Sequence, residues 1–256
     1  MKRFWLNILL VLIFVISSAD LNAQEGQKDN FSRAAGLYSG GKYKEALDIW
    51  MSIYNTGVRS ASLDYNIANA SFKLNNIPAA ILFFERALLL KPGSEDLRYN
   101  LQIARTLVVD KFNEIPELFF IRWYNFVSLS MSTNTWAIIS IISFIFCLIS
   151  LSLYIYSSGY SYKVIGFWIS ILLFVISSLS VSFSLHNRNL VYHNSCAIIF
   201  SPQVNGKSSP DTSGKDLFVL HEGTKVTIED FVGSWFEIRL SDGNKGWVPS
   251  NTLEKI

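Results

Sequence analysis

Between Arg122 and Lys163 the chain carries no charged side chain, and from Val164 to Leu185 there is again none. Trp136 to Tyr156 is 21 residues dominated by Ile, Leu and Phe, enough to cross a hydrocarbon layer of about 30 Å as a helix. Val164 to Leu185 repeats the pattern over 22 residues. Trp136, Tyr154, Tyr156, Tyr160, Tyr162 and Trp168 lie towards the ends, where amphipathic rings favour the headgroup zone. The chain is 256 residues, half of them hydrophobic and 16% charged, with a mean hydropathy of +0.28, and these runs carry much of the apolar excess. Spans are predicted at 135–156 and 164–185, joined by a cytoplasmic loop at 157–163 into a tight hairpin. The stretch before them, 116–134, reads as an interfacial linker. In it Phe119, Phe120, Trp123, Tyr124 and Phe126 are expected at the membrane–water boundary. Gly166, Ser170 and the serines at 177, 178, 180, 182 and 184 thin one side of the second span and suit packing of the hairpin on itself.

Residues 1–23 read as a signal peptide: Lys2 and Arg3, an uncharged core from Phe4 to Ala19, then small and polar residues. Whether it is cleaved or retained, the parts on either side of the hairpin return to the same extracytoplasmic side. The chain is therefore expected to be a multi-pass protein of the cytoplasmic (inner) membrane with its soluble parts periplasmic.

Within 24–115 the sequence repeats at 34 residues. Gly41 pairs with Asn75, Tyr43 with Ile77, Ala46 with Ala80, Trp50 with Phe84 and Gly57 with Lys91. That period marks a helix–turn–helix unit that buries its apolar face by stacking on copies of itself. In the copy from Ala61 to Pro92, Tyr65, Ile67, Ala68 and Phe72 recur at helical spacing. Asn75-Asn76 breaks the run, since Asn tolerates the left-handed turn. Pro78 suits the first turn of the next helix, and Ala80, Phe84 and Ala87 form its packing stripe. The first copy covers about Gln27 to Arg59. A third begins at Tyr99-Asn100-Leu101 and runs on without a second helix, as a terminal cap would. These residues resemble the tetratricopeptide repeat. The resemblance places Phe31, Ala35 and Tyr38, then Tyr65, Asn69 and Phe72, then Tyr99 and Ile103, on a concave, aromatic wall suited to an apolar peptide. Asn69 and Lys73 resemble part of a clamp used by some such arrays on a peptide carboxylate.

From residue 190 to 256 the hydrophobic period switches from 3.6 to 2. Val226 and Ile228 alternate with polar residues, as do Phe236, Ile238 and Leu240, and Asp242-Gly243 signals a hairpin turn before Lys245 to Val248. With Cys196 to Phe200 and Leu217 to Leu220 this predicts about five short strands in a small barrel. His221-Glu222-Gly223-Thr224, Ser234-Trp235-Phe236 and Gly246-Trp247-Val248-Pro249-Ser250-Asn251 resemble a bacterial SH3-type domain. Trp235, Pro249 and Asn251 match groove positions of that family, while Thr252 stands where an aromatic residue is usual. Trp235 precedes the inward set on its strand and should face outward with Trp247 beyond the turn, forming a ligand platform.

The expected fold is therefore multidomain: tetratricopeptide helical repeats, a two-helix transmembrane hairpin and a small SH3-like β-barrel. That order, with Trp136 opening the first span and Leu217 to Gly223 leading into the barrel, resembles the Bat aerotolerance family of membrane proteins. Membership implies a scaffold or adaptor that binds other envelope proteins with von Willebrand factor A domains in stress or oxygen tolerance. The alternative is an accessory protein that binds cell-wall peptides through the barrel. Chemistry is not evident in the residues. His186, His193 and His221 have no paired spacing, and Cys147 and Cys196 make neither a zinc site nor a disulfide framework. Cys196 lies in an apolar run and reads as a buried core thiol. No catalytic residue, metal or cofactor is expected. A net charge of +2 gives no support for nucleic acid. The expected partners are envelope proteins, peptidoglycan peptides and the lipid bilayer.

Overall fold

The computed structural model describes residues 28–112, 116 and 118–256; the leader expected at 1–23 lies outside the described residues. Helix α1 covers 28–39 and is followed by α2 (Tyr43–Asn55), α3 (Ala61–Lys73), α4 (Ile77–Leu90) and α5 (Glu95–Thr106). The turns are built by the residues the sequence singled out. Gly41 (φ 79°) and Asn75 (φ 60°) take left-handed backbone. Ser60 accepts a hydrogen bond from Leu63 N at 3.1 Å, and Asn76 Oδ1 accepts one from Ala79 N at 3.3 Å, so both helices start on a side-chain cap. Ala46, Ala80 and Ala87 are fully buried where helices approach, and Trp50, Leu63, Ile67, Ile81 and Phe84 fill the spaces between.

Helix α6 (Phe119–Ser128) precedes α7 (Thr133–Tyr156) and α8 (Tyr160–Tyr192). The last two are antiparallel along a seam of small side chains. Ser177 Oγ donates to Ser140 O at 3.0 Å, Ser150 Oγ to Gly166 O at 2.9 Å, and Cys147 lies against Ser170. Gly166 is required there, because a Cβ would sit 2.9 Å from Ser150 O. Gly166, Ser170, Ser177 and Ser180 are thus spent within the hairpin, and Ser184 donates to Thr133 O. Ser178 and Ser182, expected on the same side, are exposed because their helical positions turn away from the seam. Both helices are long and apolar enough to cross a membrane, and only 22% of the most apolar window of each is buried. Two details differ from the sequence expectation. The link is 157–159 rather than 157–163, since Gly159 already starts α8. Helix α8 also continues past 185 to Tyr192. At about 1.5 Å per residue its 33 residues exceed a bilayer core by roughly 20 Å. The surplus turns pack on α4, with Asn187 and Leu190 facing Leu88 and Leu89 across a small apolar cavity.

The C-terminal region forms one antiparallel seven-stranded sheet, in the order β3-β2-β6-β5-β4-β1-β7. Its strands are β1 (Cys196–Ile199), β2 (Gln203–Lys207), β3 (Asp216–His221), β4 (Lys225–Val232), β5 (Trp235–Arg239), β6 (Lys245–Pro249) and β7 (Leu253–Lys255). Ala197 and Ile199 from one end share a core with Val204 and Leu220 from the other, so the sheet curls on itself. The count of about five strands is corrected to seven. Strand β2 was missed because it holds one buried aliphatic, Val204. Gly206 gives way to the Phe218 ring, which occupies the place of a Cβ there. Cys196 is half-buried rather than buried, because it opens β1 instead of lying within it.

Strand β1 serves two cores by its alternation. Ala197 and Ile199 point into the sheet, while Ile198 is fully buried in the helical core against α4. Polar contacts reinforce this junction. Glu85 on α4 is buried and paired with both Arg105 and Lys225, the latter at 2.8 Å. Burial alone would raise its carboxyl, but the two cations outweigh it and hold it below the usual carboxylate range. Arg86 reaches Glu254 at 3.0 Å. After α5, Val108 packs beside Gly223 (φ 86°), where a Cβ would meet its Cγ2 at 2.9 Å. Asp110 then accepts from His221 N at 2.6 Å and Thr224 Oγ1 at 2.7 Å, and lies 2.8 Å from His221 Nδ1.

Candidate binding groove

On the outer face of the sheet, residues that pair across an antiparallel ladder point the same way. Trp235 on β5 stands opposite Pro249 on β6, Glu237 opposite Trp247, and Trp247 opposite Lys207 on β2. Trp235, Trp247, Pro249 and Lys207 therefore share one face, while Ile238 and Val248 between them are fully buried in the core. Trp235 and Pro249, with Gln203, Asn205, Lys207 and Thr212, line a shallow open groove of about 480 Å³. Thr212 comes from the β2–β3 loop, which Asp211 stiffens by accepting from Ser213 N at 2.8 Å. Asp216 is bound by Lys207 at 2.7 Å and by Asn205 Nδ2 at 2.8 Å. Those hydrogen bonds hold its carboxyl below the usual range.

The groove combines an indole face and a proline ring with amide and hydroxyl donors. Such a surface suits an extended chain, whose apolar side chains lie on the rings while its carbonyls meet the donors. Two of the four expected barrel residues line the groove. Trp247 is half-buried on the same face two residues before Pro249, outside the groove wall, and Asn251 is exposed in the 3-10 turn Ser250–Thr252. Gln203, Asn205, Lys207 and Thr212 were not anticipated. They enter through β2 and its loop, and no alternation in the sequence announces that strand.

The residues expected on the helical wall divide. Phe31 and Tyr38 pack their rings on Trp50, at 6.3 and 5.8 Å between centroids. Burial, then the neighbouring Tyr43 and Tyr65, raises the Tyr38 hydroxyl pKa above its ordinary value. Tyr65 lies 6.0 Å from Phe84, and its hydroxyl accepts from Asn100 at 2.8 Å. Phe72 packs against the helical core. Asn69 is half-buried and Lys73 exposed. Tyr99 and Ile103 are 66% and 36% exposed on α5. The structure thus spends Phe31, Tyr38, Tyr65 and Phe72 largely on packing and leaves Tyr99 and Ile103 free. No group of His, Cys, Asp and Glu able to hold a metal occurs among the described residues.

Residues 204–254 match the family model of the bacterial SH3 domain. The match starts within β2 and ends within β7, so it takes in every residue lining the groove except Gln203. No curated protein matches the chain.

Proposed function

We propose that this protein is a non-catalytic, membrane-anchored adaptor whose SH3-type barrel binds an extended peptide on the extracytoplasmic side. The observation that carries the reading is the groove between Trp235, Pro249 and the β2–β3 loop, within a domain of bacterial SH3 type. Cell-wall stem peptides are the ligand class, because they are extended and rich in carbonyls and small side chains. The hairpin of α7 and α8 spans the cytoplasmic membrane, with α6 lying at its outer surface. Phe119, Phe120, Trp123 and Phe126 on α6 are 76%, 58%, 62% and 74% exposed, which fits lipid contact.

The helices before the hairpin act as a tetratricopeptide-type array that holds a second envelope protein. The resemblance to the Bat aerotolerance family would make that partner one with a von Willebrand factor A domain. Two binding surfaces held together by Glu85, Asp110 and Ile198 support an adaptor over an enzyme. The test is binding of purified, solubilised wall peptides to the full-length protein in nanodiscs. Trp235→Ala is expected to weaken binding by about 2 kcal/mol while the melting curve stays cooperative. Unchanged affinity in a folded Trp235→Ala protein would remove the groove from the account.

A further inference from the structure

The outer end of the hairpin and the C-terminal end of α4 enclose a cleft that the barrel groove does not touch. Helix α7 has 24 residues, about 36 Å of helix, so it overruns a hydrocarbon core of about 30 Å and leaves its ends in the headgroup layers. Ser184 Oγ donates to Thr133 O at 3.1 Å, which sets that point of α8 level with the start of α7. Arg188 lies one turn, about 6 Å, further out, at the depth of lipid phosphates. The array is docked closely against this end. Arg98 donates to Leu129 O at 3.2 Å and to Pro92 O at 2.6 Å, and a Cβ on Gly93 would overlap Ser130 O.

The cleft has a volume of about 200 Å³, the share of about six water molecules in the liquid. Leu89 and Leu90 of α4 and Val191 of α8 form its apolar side, and Thr133, Asn134 and Arg188 its polar side. Among the described residues, the Arg188 guanidinium and the Asn134 amide have no hydrogen-bond or ion-pair partner. The guanidinium is steered by the Tyr192 ring, whose centre lies 5.4 Å away. Among the described residues no acid lines the cleft, and the sequence holds none from 118 to 210.

We propose that this cleft binds one anionic phospholipid of the outer leaflet. Its phosphate sits on Arg188, its glycerol headgroup on Asn134 and Thr133, and its carbon chains leave past Leu89, Leu90 and Val191. A guanidinium fork takes two phosphate oxygens at once, and the glycerol hydroxyls suit an amide and a hydroxyl. A zwitterionic lipid also carries an ammonium, which finds no carboxylate here, so the site favours a lipid of net negative charge. Because the cleft joins α4 to α7 and α8, the bound lipid ties the array to the hairpin at the membrane surface. The inference rests on the reading of α7 and α8 as membrane spans and not on the barrel groove.

The test is native mass spectrometry of the delipidated full-length protein released from detergent micelles after addition of phosphatidylglycerol, phosphatidylethanolamine or inorganic phosphate. One phosphatidylglycerol should be retained about fivefold more strongly than phosphatidylethanolamine, and inorganic phosphate at equal concentration should not displace it. Arg188→Gln, at an exposed position, should cut retention about tenfold. Asn134→Leu should also cut it and leave the melting curve unchanged. Arg122→Gln removes the exposed arginine of α6 and should change nothing. Equal retention of the two lipids, full retention in Arg188→Gln, an equal loss in Arg122→Gln, or displacement by inorganic phosphate would each overturn the proposal. A protein that stays dispersed once detergent is removed would overturn the spanning of α7 and α8 itself, and the lipid site with it.

Discussion

Removing the Asp110 carboxylate should loosen the barrel from the helical array without unfolding either. Asp110 accepts two hydrogen bonds and lies 2.8 Å from His221 Nδ1, and the hydroxyl it satisfies belongs to buried Thr224. Hydrogen bonds to an ionised acceptor contribute about 1.5 kcal/mol each at the low end, or roughly 4.5 kcal/mol for the two accepted bonds and the His221 ring contact together. A cavity of about 250 Å³ adjoins them, lined in part by Asp110, Lys111 and Thr224. Water entering it can serve the abandoned donors and return roughly half, leaving a net loss of about 2 kcal/mol for Asp110→Ala. The assay is thiol labelling of a cysteine placed at Ile198, which is fully buried against α4 and reacts only when the barrel lifts. With Cys147 and Cys196 replaced by serine, Asp110→Ala should label about 30-fold faster, and Asp110→Asn should fall between. Burial opposes the Asp110 charge, but hydrogen bonds from the His221 side chain, Thr224 and the His221 N–H outweigh it and depress its pKa. A depressed carboxyl contributes its stability fully above about pH 4 and loses it as pH falls through the folded-state value, so the advantage of wild type over Asp110→Ala should shrink in acid below about pH 4. Equal labelling of wild type and Asp110→Ala would show that the clamp does not hold the barrel.

Two further substitutions probe separate parts of the chain. Burial raises the Asp64 pKa to about 6 against the smaller opposing effects of Arg86 and Arg59, and its Oδ1 has no hydrogen-bond partner among the described residues. A carboxyl raised on folding stabilises most below about pH 4 and loses that contribution as pH climbs through 6. Asp64→Asn should therefore raise the melting temperature at pH 7.5, with a smaller gain at pH 5; calorimetry at both values decides it. Gly166→Val would push a side chain against the Ser150 carbonyl and the Tyr154 backbone. It should cost the α7–α8 pair about 1–3 kcal/mol, read by denaturant titration in mixed micelles, and no loss would mean the seam is not close-packed.

The local grammar of this fold was readable where a single residue type has one physical use. Asn75 in left-handed backbone, Pro78 in the first turn of α4, the buried alanines at 46, 80 and 87, and the Asp242-Gly243 turn all follow from sequence. What could not be read depends on contacts between distant segments. Glu85 looks like a solvated helix charge until Lys225, 140 residues away, closes over it. Ile198 looks like one more barrel residue, yet it belongs to the helical core. The groove was half legible. Trp235 and Pro249 stand in recognisable phrases, whereas Lys207 and Asn205 are placed by pairing with Asp216 across a bulged hairpin.

Every role proposed for the groove requires that the array and the barrel lie on one side of a bilayer and the α7–α8 link on the other. Single cysteines at Ser39, Ser158 and Ser213, each exposed or in a connecting segment, can be introduced with Cys147 and Cys196 replaced by serine. Intact cells with a permeabilised outer envelope are then treated with a membrane-impermeant thiol reagent. Positions 39 and 213 should label at once, while 158 labels only after the membrane is broken. Labelling of 39 and 213 on opposite sides, or of 158 together with both, would contradict the account.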